Sequence, residues 1–476
     1  MIRRLTVMEL RALCSDGRVL ALAGIALACL VASIWIAAEQ ASVHEQGRAA
    51  AAEHVREQWE EIEGLSAHAA AHFGTFVHKP SGALATLDTG VLPFTGKVVR
   101  VEAHVQHPPA HSDASAWSSL VRLGAFDAGK ILTLIAPLLL GFTAFSSLAR
   151  DRESGLLRVL VAQGVSMRSI LWSRVLAYWA LALVFLIAVV VCHSLLHSGS
   201  SGSETTDALP RLGMFTMVHA LHLLIVVMLA VWVSARVTDP RSALAILTVA
   251  WLVAAVLLPR VVAEASSQAH PLDTQVSFED AMKADRAQGL DGHDPADERR
   301  NALEAELLEQ YGVERTSDLP INAGGVFMQA DEDYGNKVWD EHFGRREATI
   351  ESQIGFVQAA SFLDPFLAAR GLSMGFAGTD QFHDADFQRQ AEQYRRELVL
   401  ALNTLDAEGG TRDENGRWIR DEVDFAAFAD FRFETQPVGF VFQHRWLELL
   451  ALGIWTVLAG ALLHLRANRV PVVEGA

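Results

Sequence analysis

Cysteine is nearly absent from this chain, with three residues in 476: Cys14, Cys29 and Cys192. None lies in the two longest polar stretches, 39–130 and 265–444, so no disulfide framework holds them and packing alone must stabilise them. A complete nucleotide-binding loop is also missing. Gly90-Val-Leu-Pro-Phe-Thr-Gly96-Lys97-Val98 comes nearest, but it has one residue too many between the glycines and a valine where a magnesium-binding hydroxyl belongs. The chain is therefore not read as an enzyme, and any ATP-driven function must borrow its ATPase from another polypeptide. A membrane hydrolase would need a nucleophile or metal signature, and none stands out. Basic side chains are scarce between 265 and 434, where 35 acids face 16 bases; this region accounts for the net charge of −17 and disfavours nucleic acid as a partner.

What is abundant is apolar sequence, 51% of the residues. Six runs are long enough to cross a hydrocarbon layer of about 30 Å, which takes roughly 20 helical residues. They are Val19–Ala38, Ile131–Leu148, Val175–Leu196, Met214–Val233, Ala243–Leu258 and Trp446–Leu465. The first is read as a span rather than a cleaved signal, because no small-residue cleavage site follows it cleanly. The second and fifth are short and carry Pro137 and Pro259 at or near their ends.

Arginines orient the spans. Arg3, Arg4, Arg11 and Arg18 precede the first. Arg150, Arg152, Arg158, Arg168 and Arg174 lie between the second and third, Arg236 and Arg241 between the fourth and fifth, and Arg466 and Arg469 after the sixth. The loop between spans three and four holds only Arg211. The positive-inside rule then predicts cytoplasmic termini (1–18, amphipathic, and 466–476), a cytoplasmic segment 149–174, and extracytoplasmic stretches at 39–130 and 265–444. The expected fold is an all-α polytopic membrane protein in a bacterial inner membrane. Six transmembrane helices would carry a mostly helical extracytoplasmic domain built from the loops after helices 1 and 5.

Within that frame several clusters carry chemistry. His68 and His72, at i and i+4, put two imidazoles on one helix face as metal ligands require; ordinary surface histidines in an alanine-rich helix are the alternative. His193 and His197 are expected near an interface, while His219 and His222 are left open. Asp380, His383, Asp384 and Asp386 form an acid and histidine cluster suited to metal or proton chemistry, or to capping a helix that starts after Asp380. Capping predicts that Asp380→Asn is tolerated. In 149–174, Asp151 and Glu153 are expected near the start of a short helix with Leu156, Leu157, Val159 and Leu160 on its apolar face, ended by Gly164 and followed by a Ser166 cap. A plain charged inner loop is the alternative.

Arg150-Asp-Arg-Glu-Ser-Gly-Leu-Leu-Arg158, followed by Gln163-Gly-Val-Ser166, resembles the segment after the second span in permease subunits of type-2 ABC exporters. Arg370-Gly-Leu-Ser-Met-Gly-Phe-Ala-Gly-Thr-Asp380, with His383, Phe387, Ala391-Glu392 and Tyr394-Arg395, is similar to a stretch of a subfamily with a large outer domain of unassigned function. Ala71-His-Phe-Gly74 and Pro93–His104 extend the likeness. The resemblance implies that Asp151, Arg152, Glu153, Ser154, Gly155, Leu156 and Arg158 couple to a cytoplasmic ABC ATPase, which would hold ATP and magnesium. Arg236, Asp239 and Arg241 would make a second contact. The implied partners are a second permease copy or sister permease, the lipid bilayer and an extracytoplasmic accessory protein. The rival reading is a membrane-anchored module that recruits or senses an outer partner.

Overall fold

The computed structural model describes residues 1–116, 126–197, 207–412, 414, 418–419 and 422–467. The tail from 468, with Arg469, and most of the loop holding 198–206 lie outside the described residues. Among them, six helices have the length and apolarity to cross a membrane: span 1 (Gly17–Glu60), span 2 (Ala128–Glu153), span 3 (Met167–Leu196), span 4 (Ala208–Arg236), span 5 (Pro240–Ala269) and span 6 (Trp446–Ala467). A helical region outside the membrane-length helices completes an all-α fold.

Span 1 has 44 residues, about 66 Å at 1.5 Å per residue, twice what a bilayer needs. Its far end docks through Trp59, whose Nε1 donates to the Phe425 carbonyl at 3.1 Å. Before it, α1 (Ile2–Ser15) packs along span 3 and buries Leu13.

Spans 2 and 5 share an irregularity. Each contains one widened π turn, Ile131–Ile135 and Val253–Leu257, and each turn ends two residues before a proline, Pro137 or Pro259. Proline lacks the N–H of a regular helical bond and its ring crowds the carbonyl four residues back, so a widened turn relieves the conflict. The spans meet beside these turns: Trp251, just before the widened turn of span 5, donates through Nε1 to the Leu134 carbonyl in that of span 2 at 2.9 Å.

Outside the spans, α2 (Ala67–Phe73) leads into a small antiparallel sheet of β1 (Thr75–His78), β2 (Val98–Glu102) and β3 (Val105–Gln106). The elbow 149–166 follows span 2. Beyond span 5 come α3 (Gln275–Gln288), α4 (Ala296–Tyr311), α5 (Ala323–Ala360), α6 (Pro365–Ala377) and α7 (Gln381–Glu408). Phe387, Ala391 and Leu398, at helical spacing, line the buried face of α7, with Tyr394 packed beside them. One core joins that face to Trp59, the alanines of α2, Val77, Val99, Val101 and Phe425.

Helix α6 is buried on nearly every side, because it wedges against spans 4 and 6. Arg211 at the head of span 4 reaches its C-terminal carbonyls, donating to Gly375 O at 3.4 Å and Phe376 O at 3.3 Å; a guanidinium there meets the negative end of the helix dipole. The turn at Leu87–Gly90 seats on the same helix, with Ser373 Oγ donating to Asp88 at 2.5 Å. Gly90, the first glycine of the incomplete loop, takes φ +50°, and a Cβ there would overlap the Thr379 backbone and hydroxyl. It serves close packing.

Gly371 faces span 6, where a Cβ would run into the Glu448 carboxylate and the Arg445 guanidinium. Gly371→Ala is expected to destabilise the chain by about 1–3 kcal/mol, read as a lowered midpoint of thermal unfolding in detergent, whereas Gly439→Ala, where a Cβ meets open space, should change it little.

Candidate functional site

The segment after span 2 is two short helices rather than one. Ala149–Glu153 is a short helix of its own at the foot of span 2, Leu156–Ala162 is a second, and Gly155 between them holds φ +76°. Asp151 therefore stands in a first turn as expected, but Glu153 ends that helix instead of starting it. Gly164, at φ +82°, follows the second arm, and Ser166 Oγ accepts from Ser169 N at 3.3 Å as the next cap. Leu157 is buried against Ile170.

Polar side chains tie this elbow to its neighbours. Arg174 on span 3 donates to Asp151 at 2.5 Å and also pairs with Glu9 of α1. Arg152 donates to the carbonyls of Val237 and Ala235, the latter at 3.2 Å. Ser234 Oγ accepts from Leu148 N at 3.0 Å. Asp151 and Arg152 thus face inward, while Glu153, Ser154, Leu156, Arg158 and Val159 are exposed. In the adjoining turn Arg236 lies over Trp232 and Asp239 caps span 5 through Ser242 N at 2.9 Å, with Arg236 and Arg241 exposed.

At the other end of the spans a buried ionic network fixes α6 and α7 to span 6. Arg445 Nε donates to Asp380 Oδ2 at 2.6 Å and its Nη1 to Glu448 Oε1 at 2.6 Å; Gln358 Nε2 reaches Glu448 Oε2 at 3.1 Å. Asp380 also accepts from His383 N at 3.1 Å, the expected helix cap, and lies 2.5 Å from His383 Nδ1. Burial works against its ionisation, but Arg445 and His383 outweigh this and hold its carboxyl well below the ordinary 3.8. The other acids of the cluster go elsewhere. Asp384 pairs with Lys79, and Asp386 holds Arg389, Gln390 and Gln436.

Between these two levels, spans 2, 4 and 5 surround a cavity of about 280 Å³. Its wall is apolar apart from a few groups: Thr133 on the widened turn of span 2, Thr248, His222 on span 4, Asp364, and Trp455 on span 6. Asp364 Oδ1 caps α6 by accepting from Phe366 N at 3.0 Å, but among the described residues Oδ2 has no hydrogen-bond partner, nor does either ring nitrogen of His222 or Nε1 of Trp455. The Thr133 carbonyl approaches the His222 ring without reaching hydrogen-bond geometry. Both Asp364 and His222 are at most 2% exposed. Burial pushes Asp364 up to about 6, opposed only by the Phe366 amide. Unpaired buried polar groups cost stability and mark places kept for something other than folding. Sequence reasoning missed Asp364 because Asp-Pro reads only as a break between helices; packing shows that its second oxygen is orphaned. Of the other histidines, His193 is buried, with Nδ1 3.4 Å from Thr86 Oγ1, and His219 Nδ1 lies 2.8 Å from the Phe215 carbonyl. The side chain of His197 lies outside the described residues.

Farther out, the expected pair His68 and His72 is joined by His104 from the β2–β3 turn, and one nitrogen from each ring falls within 4.8 Å of the others. Among the described residues these three could hold a metal; the Asp380 cluster makes no such group.

Residues 275–436 match the family model of a domain of unknown function, DUF3526. The match covers under half of the chain: α3 to α7 and the segment leading to span 6, with Asp364 and Asp380 but without His222 and the elbow. No curated protein and no solved structure matches the chain.

Two outcomes follow from these carboxylates. Asp380→Asn keeps the cap but leaves Arg445 with one anionic partner, so it is expected to destabilise by about 3 kcal/mol, a correction to the tolerance that capping alone implies. Because the folded carboxyl is depressed, its contribution is present above pH 3.8 and is lost as pH falls further, so wild type and variant should converge in acid. Asp364 has the opposite sign: its folded value is raised, so its contribution is full below 3.8 and is lost as pH rises through about 6. Asp364→Asn, which keeps the cap without a buried charge, should stabilise at pH 8 by up to about 3 kcal/mol. Thermal unfolding in detergent across pH measures both.

Proposed function

We propose that this chain is the membrane permease subunit of an ATP-driven exporter of the type-2 ABC kind, working in a bacterial inner membrane with both termini and the elbow on the cytoplasmic side. The observation that carries this reading is the elbow. It offers an exposed charged and apolar face, Glu153 to Val159, on a two-armed hinge bonded to span 3 and to the end of span 4 and the turn after it. A cytoplasmic ATPase subunit, holding ATP and magnesium, docks on that face, with Arg236, Asp239 and Arg241 as a second contact. A push on the elbow moves the foot of span 2, whose widened turn lines the cavity. Such turns recur at functional sites in helices because they bend with little loss of hydrogen bonding.

Span 5 supports the same reading from its outer face. Ile246, Val249, Leu252, Val253, Leu257 and Val261 are exposed, a stripe suited to lipid or to a second permease subunit. The cargo would pass beside the cavity, where His222 and Asp364 await a polar partner. Groups of this kind at membrane depth line paths more often than they stabilise folds.

The second reading, a module that recruits or senses an outer partner, draws on a cleft of about 710 Å³ between α5 and α7, lined by Asp340, Arg346, Glu347, Arg389 and Arg396. An accessory protein at that cleft is compatible with transport.

Glu153→Lys is expected to leave membrane insertion unchanged and to weaken retention of the ATPase during detergent purification by about tenfold or more; undiminished co-purification would sink the coupling role. Asp364→Asn should lower coupled ATP turnover while raising thermal stability, the opposing pair that marks a functional residue rather than a structural one.

A further inference from the structure

Helix α2 buries Ala67, Ala70 and Ala71 and presents His68 and His72 on its other side. Its third neighbour comes from 32 positions farther along the chain. His104 sits in the turn after β2 with φ +66°, a left-handed backbone that is costly for a side chain with a Cβ and that persists where the surroundings impose it. That turn swings the His104 ring over α2, with centroids 5.5 Å from His68 and 4.9 Å from His72.

The nitrogens are spaced for a shared ion. His68 Nε2 and His72 Nε2 lie 3.0 Å apart; two imidazoles on a tetrahedral Zn²⁺, each about 2.0–2.1 Å from it, would place theirs roughly 3.3 Å apart. Two of the rings have polar side chains behind them. His68 Nδ1 lies 3.0 Å from Asn403 Oδ1, and Asn403, fully buried on α7, donates to Gln329 at 3.1 Å. His104 Nδ1 lies 2.9 Å from Glu332 Oε1 and 3.4 Å from Asp331. Glu332 is in turn anchored by the buried Arg395 at 3.0 Å. A hydrogen-bonding oxygen behind a ligating imidazole fixes its tautomer and its aim. Asn403 supplies that support for His68, while the Glu332 and Asp331 carboxylates stand within ion-pair distance of His104 Nδ1 without completing hydrogen-bond geometry.

We propose that His68, His72 and His104 bind one divalent transition-metal ion of the Zn²⁺ class. The donor set chooses the class: three imidazole nitrogens suit Zn²⁺ or Cu²⁺, whereas Mg²⁺ and Ca²⁺ take oxygen ligands. His72 is exposed, so the fourth position opens to solvent and holds water or an outside ligand. The ion fastens the β2–β3 turn to α2, on a surface whose support comes from α5 and α7. This site stands apart from the elbow and the cavity, so its fate is independent of the transport reading.

The test uses the full chain in detergent, purified through a tag without histidine, stripped with chelator and reloaded with Zn²⁺. One ion per chain is expected by elemental analysis. His72→Ala, at an exposed position that should not disturb folding, is expected to weaken binding at least tenfold in a competition titration. Asn403→Ala should weaken it by about 10–100-fold, the usual effect of losing such support. Co²⁺ in place of Zn²⁺ should give visible absorption in the wild type that His72→Ala loses. Absence of stoichiometric uptake, or equal uptake by wild type and a His68→Ala/His72→Ala double variant, would overturn the proposal and leave the rings joined by a hydrogen bond alone.

Discussion

The structure depends most on a fully desolvated cation at the join between the helical outer region and span 6. Arg445 stands between Asp380 and Glu448, all three at most 4% exposed. Removing one member of such a group leaves a buried charge without its partner, at a cost of about 3–5 kcal/mol. The arrangement therefore demands accuracy from what surrounds it. Gly371 and Gly375 leave room for the guanidinium, Gln358 takes the second oxygen of Glu448, and Asp380 starts α7 in the same stroke. Helix α6 is gripped here and, on the side of span 4, by Arg211 at its C-terminal carbonyls, so the orientation of the outer region relative to spans 4 and 6 has little freedom.

Held rigid on that side, the molecule keeps its adaptable parts elsewhere. Span 2 runs from the Asp127 cap, beside the Asp88 turn on α6, through a widened turn to the elbow. Its two ends answer to different neighbours, α6 at one and the Arg152 and Arg174 bonds at the other. The cavity lies between them, where proline and π turns have already interrupted the regular ladder. The polar groups left without partners among the described residues belong to three elements that are far apart in sequence: His222, Asp364 and Trp455.

Much of this was legible from residue order, and the reasons are local. A span needs only enough apolar residues in a row, so all six could be read, including the two with prolines. Asp380 was legible as a helix start because a cap bonds an amide two or three residues away. Gly155 split the elbow in two where one helix was expected, because charge and apolar periodicity continue across a glycine that adopts a left-handed backbone. His68 and His72 could be paired by helical spacing. His104 could not, since it arrives through a strained turn. The short sheet was partly visible, because Lys97–His104 reads as a strand and contains β2.

The sequence by itself determined the membrane-crossing helices, the segregation of acidic from apolar residues, the caps and the location of the charged elbow, since each rests on composition or on neighbours within a turn or two. Only the tertiary structure decided which charges are buried together, which polar atoms are left unpaired around the cavity, and that a third histidine completes a cluster. Those outcomes depend on desolvation and on contacts between residues tens to hundreds of positions apart. Local pattern carries no record of them, because a side chain's cost or use is set by what packing places beside it.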